Sequence, residues 1–127
     1  MCVQYLTTTN TDWVKTHFDL ELPSSSAHDV FPTYPGMIVL KSHNTQRTAI
    51  GPARFGLIPA WANDEGFGRK TYNARSETVS EKPSYKNAWS KRHYALALAD
   101  AFYEPCYESG KAVRTKIGQA NQEPMAI

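Results

Sequence analysis

The feature that most constrains this chain is the compact apolar run at residues 93–102, His-Tyr-Ala-Leu-Ala-Leu-Ala-Asp-Ala-Phe, followed at once by Tyr103 and the lone carboxylate of Glu104. A run this short and this apolar suits a strand buried on both faces, so the rest of the chain has to supply cover above and below it. At 127 residues with 41% hydrophobic side chains there is material for about one domain with such a core.

The surrounding punctuation favours strands over long helices. Residues 37–41 read as a strand, 42–46 as a turn and 47–58 as a return strand bent around Gly51-Pro52. Residues 107–117 read as a second hairpin around Ser109-Gly110. The polar cluster Thr7 to Asn10 is placed to cap a brief helix carrying Trp13, Val14 and Phe18. Pro23 to Asp29 and Phe31 to Gly36 read as loops, and so does the polar stretch 63–68, which is expected to move. Pro83 suits the first turn of a helix with Tyr85, Ala88, Trp89 and Arg92 on one face. The last residues, 117–127, look like a turn into a new strand, so the chain is expected to be one portion of a larger protein.

Net charge is +2, unevenly spread. Residues 1–68 carry four Lys/Arg against six Asp/Glu, and residues 69–127 carry ten against six, so the basic excess lies in the second half. That surplus fits phosphate contacts, although a charged face is often only solvated. No run of about 18 apolar residues occurs, nor a basic-then-apolar start, and two cysteines make no disulfide framework. The expected compartment is the cytosol, nucleoid included, with no membrane partner.

Chemistry gathers in three places. Asn73-Ala74-Arg75-Ser76-Glu77 packs an amide, a guanidinium, a hydroxyl and a carboxylate into five residues; Glu104 ends the apolar run; and Cys2 follows the initiator Met1. If Met1 is removed, Cys2 carries an α-amine and a thiol on adjacent carbons. An amine of pKa about 7.7–8.0 attacks an aldehyde to give an imine, which the thiol closes into a thiazolidine. With Met1 in place that nitrogen is an amide, and the chain is predicted unable to crosslink. Imine formation expels water, which calls for a carboxyl that donates and then accepts a proton, and Glu104 is the candidate. Arg75 can pair bidentately with phosphate, Asn73 can donate its amide to a sugar oxygen, and Phe55, Trp61 and Tyr72 offer flat faces to unstacked bases. No metal or cofactor is called for.

Each of these residues also has a plainer reading. Cys2 could be a buried small apolar residue or an inert thiol, Asn73 and Ser76 helix or turn caps, Glu77 the completion of a capping arrangement, Arg75 with Glu104 an internal ion pair, and Phe55 and Trp61 core.

Met1-Cys2, Phe55-Gly56-Leu57-Ile58-Pro59-Ala60-Trp61, Asn73-Ala74-Arg75-Ser76-Glu77-Thr78, Glu81-Lys82-Pro83 and Ala99-Asp100-Ala101-Phe102-Tyr103-Glu104 resemble, in order and spacing, the SRAP domain, the SOS response-associated peptidase family. The resemblance covers nearly the whole chain. It implies an α+β fold, a twisted, mostly antiparallel barrel-like sheet with a few flanking helices, apparently lacking its C-terminal part. It also implies self-processing peptidase and lyase-like chemistry on abasic sites in single-stranded DNA, as a monomer or with a missing C-terminal segment. By the same resemblance Cys2 is the crosslinking nucleophile, Asn73 the orienting amide, Arg75 a phosphate contact and Glu104 the acid/base.

Three departures stand beside it. Family members usually open Met-Cys-Gly-Arg, whereas Val3 and Gln4 stand here, removing one expected phosphate contact. Pro105 replaces a usual aromatic. His17, His28, His43 and His93 do not match the family's later histidine. Two rival functions remain open on the sequence: a Cys2-nucleophile amidohydrolase or peptidase, and a degenerate, non-crosslinking DNA-binding domain.

Overall fold

The computed structural model of the chain describes residues 2–24 and 28–127. Expectations that fall on Met1 and on residues 25–27 of the first loop lie outside the described residues. The described elements are strands β1 (Gln4–Thr7), β2 (Asp29–Val30), β3 (Pro35–Lys41), β4 (Thr48–Arg54), β5 (Ala95–Cys106), β6 (Val113–Ile117) and β7 (Met125–Ala126), and helices α1 (Thr11–Phe18) and α2 (Lys86–Ser90). Every described pairing is antiparallel. The result is a curled, mostly antiparallel sheet with few helices, the expected α+β class.

The long strand β5 organises this sheet. Along one edge it pairs with β3 through residues 95–97 and with β1 through residues 99–103; along the other it pairs with β7 and β6. Consecutive residues of β5 serve different cores, because a strand turns alternate side chains to opposite faces. Ala99 packs with Tyr5 and Val30, flanked by Phe55, Phe102 and Met125. Leu98 packs with Val14 and Val39, flanked by Trp13, Phe18 and Ile50. Burial on both faces therefore holds for the middle of the run, but not for its start, where Tyr94 and Leu96 are exposed. The cover above and below β5 does not reach that far.

Helix α1 begins as its sequence indicates, with the Asn10 side chain accepting from the Trp13 N–H at 2.9 Å. It stops at Asp19, which takes a left-handed conformation while its carboxylate meets Lys15 at 2.8 Å. Among the described residues no helix is long and apolar enough to cross a membrane.

Several expectations are corrected. The return strand β4 ends at Arg54, and its pairing with β3 runs through Gly51 and Pro52 without a shift in register. An edge strand tolerates Pro because the outward side of the ladder needs no donor. Residues 63–68 are not an open loop: Glu65–Lys70 form a 3-10 turn, capped by the Asp64 carboxylate accepting from Gly66 N–H at 2.8 Å and tied by Arg54 to Glu65 at 2.8 Å. Helix α2 starts after Pro83 and spans five residues, with Arg92 beyond it at a φ of 54° and Trp89 exposed. Pro83 has no N–H to give, so the chain from Thr78 to Lys86 winds through separate turns, with Lys82 N–H on Thr78 and Lys86 N–H on Lys82, rather than one helix.

Two glycines fix close approaches. Gly56, at a φ of 129°, lies against Gly68 so closely that a Cβ would run into the Gly68 carbonyl. At Gly36 a Cβ would occupy the position of the Tyr5 hydroxyl.

Candidate functional site

The motif loop reaches the N-terminus because it is anchored just before it starts. Thr71 is buried, and its hydroxyl donates to the Leu57 carbonyl at 2.5 Å while Leu57 N–H returns a bond to the Thr71 carbonyl at 3.3 Å. This sets Tyr72 edge-on to Phe55, ring centres 5.7 Å apart, with Phe55 in turn edge-on to Tyr5 at 5.4 Å. Asn73 follows, held from behind by the Tyr85 hydroxyl, which donates to the Asn73 carbonyl at 2.7 Å. Its side chain projects onto the N-terminal segment, where Nδ2 donates to the Cys2 carbonyl at 2.8 Å.

Cys2 is half-buried, and its thiol donates to the Gln4 carbonyl at 3.2 Å. Burial, with a smaller contribution from the charge of nearby Cys2, pushes the Tyr5 hydroxyl up to about 12. The thiol thus lies on a surface whose neighbouring phenol stays neutral.

Glu104 is half-buried on β5, opposite Thr115 of β6. The β1–β5 register pairs Gln4 with Tyr103, so the chain running back through Val3 to Cys2 passes alongside Glu104 and Pro105. Val3 and Glu104 share a cleft of about 270 Å³ with Tyr103, Pro105, Ala112 and Arg114. Arg75 is exposed two residues beyond Asn73, its backbone carbonyl accepting from Thr78 and Val79. Among the described residues the ion pairs join Lys15 to Asp19 and Glu21, and Arg54 to Glu65; Arg75 is in none of them.

The three aromatics fare differently. Phe55 packs on the core between Tyr5 and Tyr72. Trp61 is 56% exposed, edge-on to Phe67, with its indole N–H on the Pro83 carbonyl at 3.4 Å. Tyr72 is half-buried between Phe55 and the loop. Among the described residues no group of three or more His, Cys, Asp or Glu side chains is arranged to hold a metal ion.

The structure brings the Asn73 amide to Cys2 and sets Glu104 on the neighbouring strand, and sequence reasoning missed the residues that brace them. Tyr85 reads as part of a helical stripe and is instead the prop behind Asn73. Gln4 reads only as a missing arginine; it is buried, its amide donates to Asp29 at 2.5 Å, and its carbonyl oxygen accepts from Arg114. A buried glutamine flanked by Val3 and Tyr5 is the one signal that could have pointed to this.

The family profile described as SOS response associated peptidase (SRAP) matches residues 1–127. The chain is 37% identical over 108 residues to the abasic site processing protein YoqW of Bacillus subtilis strain 168, an overlap that covers 82% of this chain and 47% of the relative. It is 37% identical over 67 residues to the abasic site processing protein HMCES of Xenopus tropicalis, covering 50% of this chain and 20% of that one. A crystal structure of a protein from Bordetella bronchiseptica is similar over 99% of this chain and 61% of its own, with a TM-score of 0.79 and 31% sequence identity. The chain spans about half the length of the Bacillus relatives.

Proposed function

The chain belongs to the SOS response associated peptidase (SRAP) family, and from that footing we propose that it captures abasic sites in single-stranded DNA as a covalent adduct on Cys2. In this reading residues 1–127 act as one SRAP unit corresponding to the N-terminal portion of its longer relatives. What carries the proposal is the 2.8 Å hydrogen bond from the Asn73 amide to the Cys2 carbonyl, which ties the motif loop to the reactive residue. The names of the relatives, abasic site processing proteins, support the substrate.

Removal of Met1 turns the Cys2 nitrogen from an amide into a primary amine, substantially unprotonated near neutral pH. The amine adds to the aldehyde carbon of the ring-opened sugar. Glu104 gives a proton to the hydroxyl of that adduct, which leaves as water, and the resulting carboxylate takes the proton from nitrogen as the imine forms. The thiol then adds across the C=N bond: sulfur joins carbon, the thiol proton ends on nitrogen, and a five-membered thiazolidine results. One water is lost overall and nothing is oxidised or reduced. Asn73 holds residue 2 by its carbonyl and fixes the direction in which amine and thiol point. Arg75 contacts phosphate, while Trp61 and Tyr72, with Phe55 packed behind Tyr72, present faces to neighbouring bases.

The test is incubation of the Met1-free protein with a single-stranded oligonucleotide carrying one abasic site, read on a denaturing gel. We expect a heat-stable adduct, lost completely in Cys2→Ala and absent from a chain that retains Met1. No adduct from protein whose mass shows Cys2 at the N-terminus would overturn the proposal.

A further inference from the structure

One cation beside the reactive residue is unaccounted for in the scheme above. Arg114 lies on β6 opposite Pro105 and lines the same cleft as Val3 and Glu104. Its guanidinium sits over the Tyr103 ring, 3.9 Å from the centroid, and one of its nitrogens donates to the side-chain oxygen of Gln4. Gln4 is itself fixed, because its amide nitrogen donates to Asp29. Arg114 is thus held on two sides by neutral groups, an aromatic face and an amide, while the residue is exposed and takes part in none of the ion pairs among the described residues. Of the carboxylates, Glu104 lines the same cleft, and Asp29 is linked to Arg114 through the Gln4 amide.

Two neutral braces on an exposed cation are more than a sheet needs, since a hydrophobic pair would cover β5 between β1 and β6 without engaging any of the arginine's donors. The arrangement leaves the full charge and most of the five guanidinium donors facing outward in a fixed direction, and little side-chain entropy is left to lose on binding. The position is specific too: Gln4 is two residues from Cys2, so whatever anion Arg114 holds sits next to the reactive end.

We infer that Arg114 grips a phosphodiester of the DNA strand beside the captured sugar, supplying from β6 the phosphate contact that Gln4 cannot make from β1. This rests on the proposed reading of the chain as a single-stranded DNA binder, and it adds a second, independent phosphate site to that of Arg75. The two clamp the strand from different elements, the motif loop and the β5–β6 hairpin.

The experiment uses Cys2→Ala protein, which binds without crosslinking, and measures affinity for an abasic single-stranded oligonucleotide by fluorescence anisotropy from about 50 to 200 mM salt. Adding Arg114→Ala is expected to weaken binding about tenfold at the low-salt end and to flatten the slope of log K against log salt by about 0.7, the value of one single-strand phosphate contact. Arg114→Lys is expected to keep the slope while losing part of the affinity, because the charge remains and the planar fork does not. An unchanged slope in Arg114→Ala overturns the inference even if affinity falls, since Arg114 would then only brace β1. Loss of the slope in Arg114→Lys as well as in Arg114→Ala also overturns it, because retained charge should retain the contact. If the Cys2→Ala parent shows no salt-dependent binding at all, the DNA reading itself fails, and that result is read before either arginine variant is compared.

Discussion

The two ends of β5 are one strand built to two standards. At its far end β5 is paired by β1 through residues 99–103 and by β6 through residues 102–106, and the segments around it are fastened by directed polar bonds: Asn73 to Cys2, Tyr85 to Asn73, Arg114 to Gln4. At its near end, residues 95–97 pair with β3, and on the other edge Ala97 exchanges bonds with Ile127. There the side chains of Leu40, Tyr94 and Leu96 are exposed and apolar. Apolar packing tolerates small shifts, whereas a hydrogen bond fails within a fraction of an ångström. The end that is bonded is the end that carries Glu104 and adjoins Cys2, so precision is concentrated where the proposed chemistry needs it.

The comparison breaks most severely at the point the two ends share. Leu98 is fully buried between Val14 and Val39, so Leu98→Ala should cost about 2–5 kcal/mol in chemical denaturation and degrade both ends together. Asn73→Ala tests the bonded end alone. It should cost only about 1 kcal/mol of stability, because the half-buried Cys2 carbonyl can turn to water, yet slow adduct formation about tenfold to a hundredfold in a gel time course through loss of orientation. Least of all should come from the open end: Leu96→Thr, at an exposed β position, should change stability by no more than about 0.5 kcal/mol and leave the adduct rate where it was. A large drop in adduct rate from Leu96→Thr, or none from Asn73→Ala, would erase the distinction.

What could be read before folding follows the same division. Residue types with few plain uses in a strand or loop, such as the Asn73-to-Glu77 cluster and the carboxylate ending the apolar run, mark the site because chemistry leaves a local trace. The helix cap at Asn10 and the hairpin about Ser109-Gly110 are legible because both are settled within a few residues. The tether from Asn73 to Cys2 is not local, since it joins segments far apart in the chain and depends on Thr71 being buried first. Helix α2 was overestimated because periodicity alone cannot weigh the missing N–H of Pro83 against the turns around it. Arg114 draws no notice in the sequence because residues 107–117 read only as a hairpin, and only the packing of Tyr103 and Gln4 beneath it gives that arginine a direction.

The contact between Gly36 and the Tyr5 hydroxyl extends the reach of the reactive end to a strand that never meets DNA in this scheme. Even a methyl group at position 36 would act as a wedge, prising the phenol out of its seat and levering β1 with it, so that residue 2 would be misaimed by a substitution made in the β3–β4 hairpin. In the proposed scheme a side chain at position 36 would therefore act on the aim of Cys2 as well as on the hairpin itself.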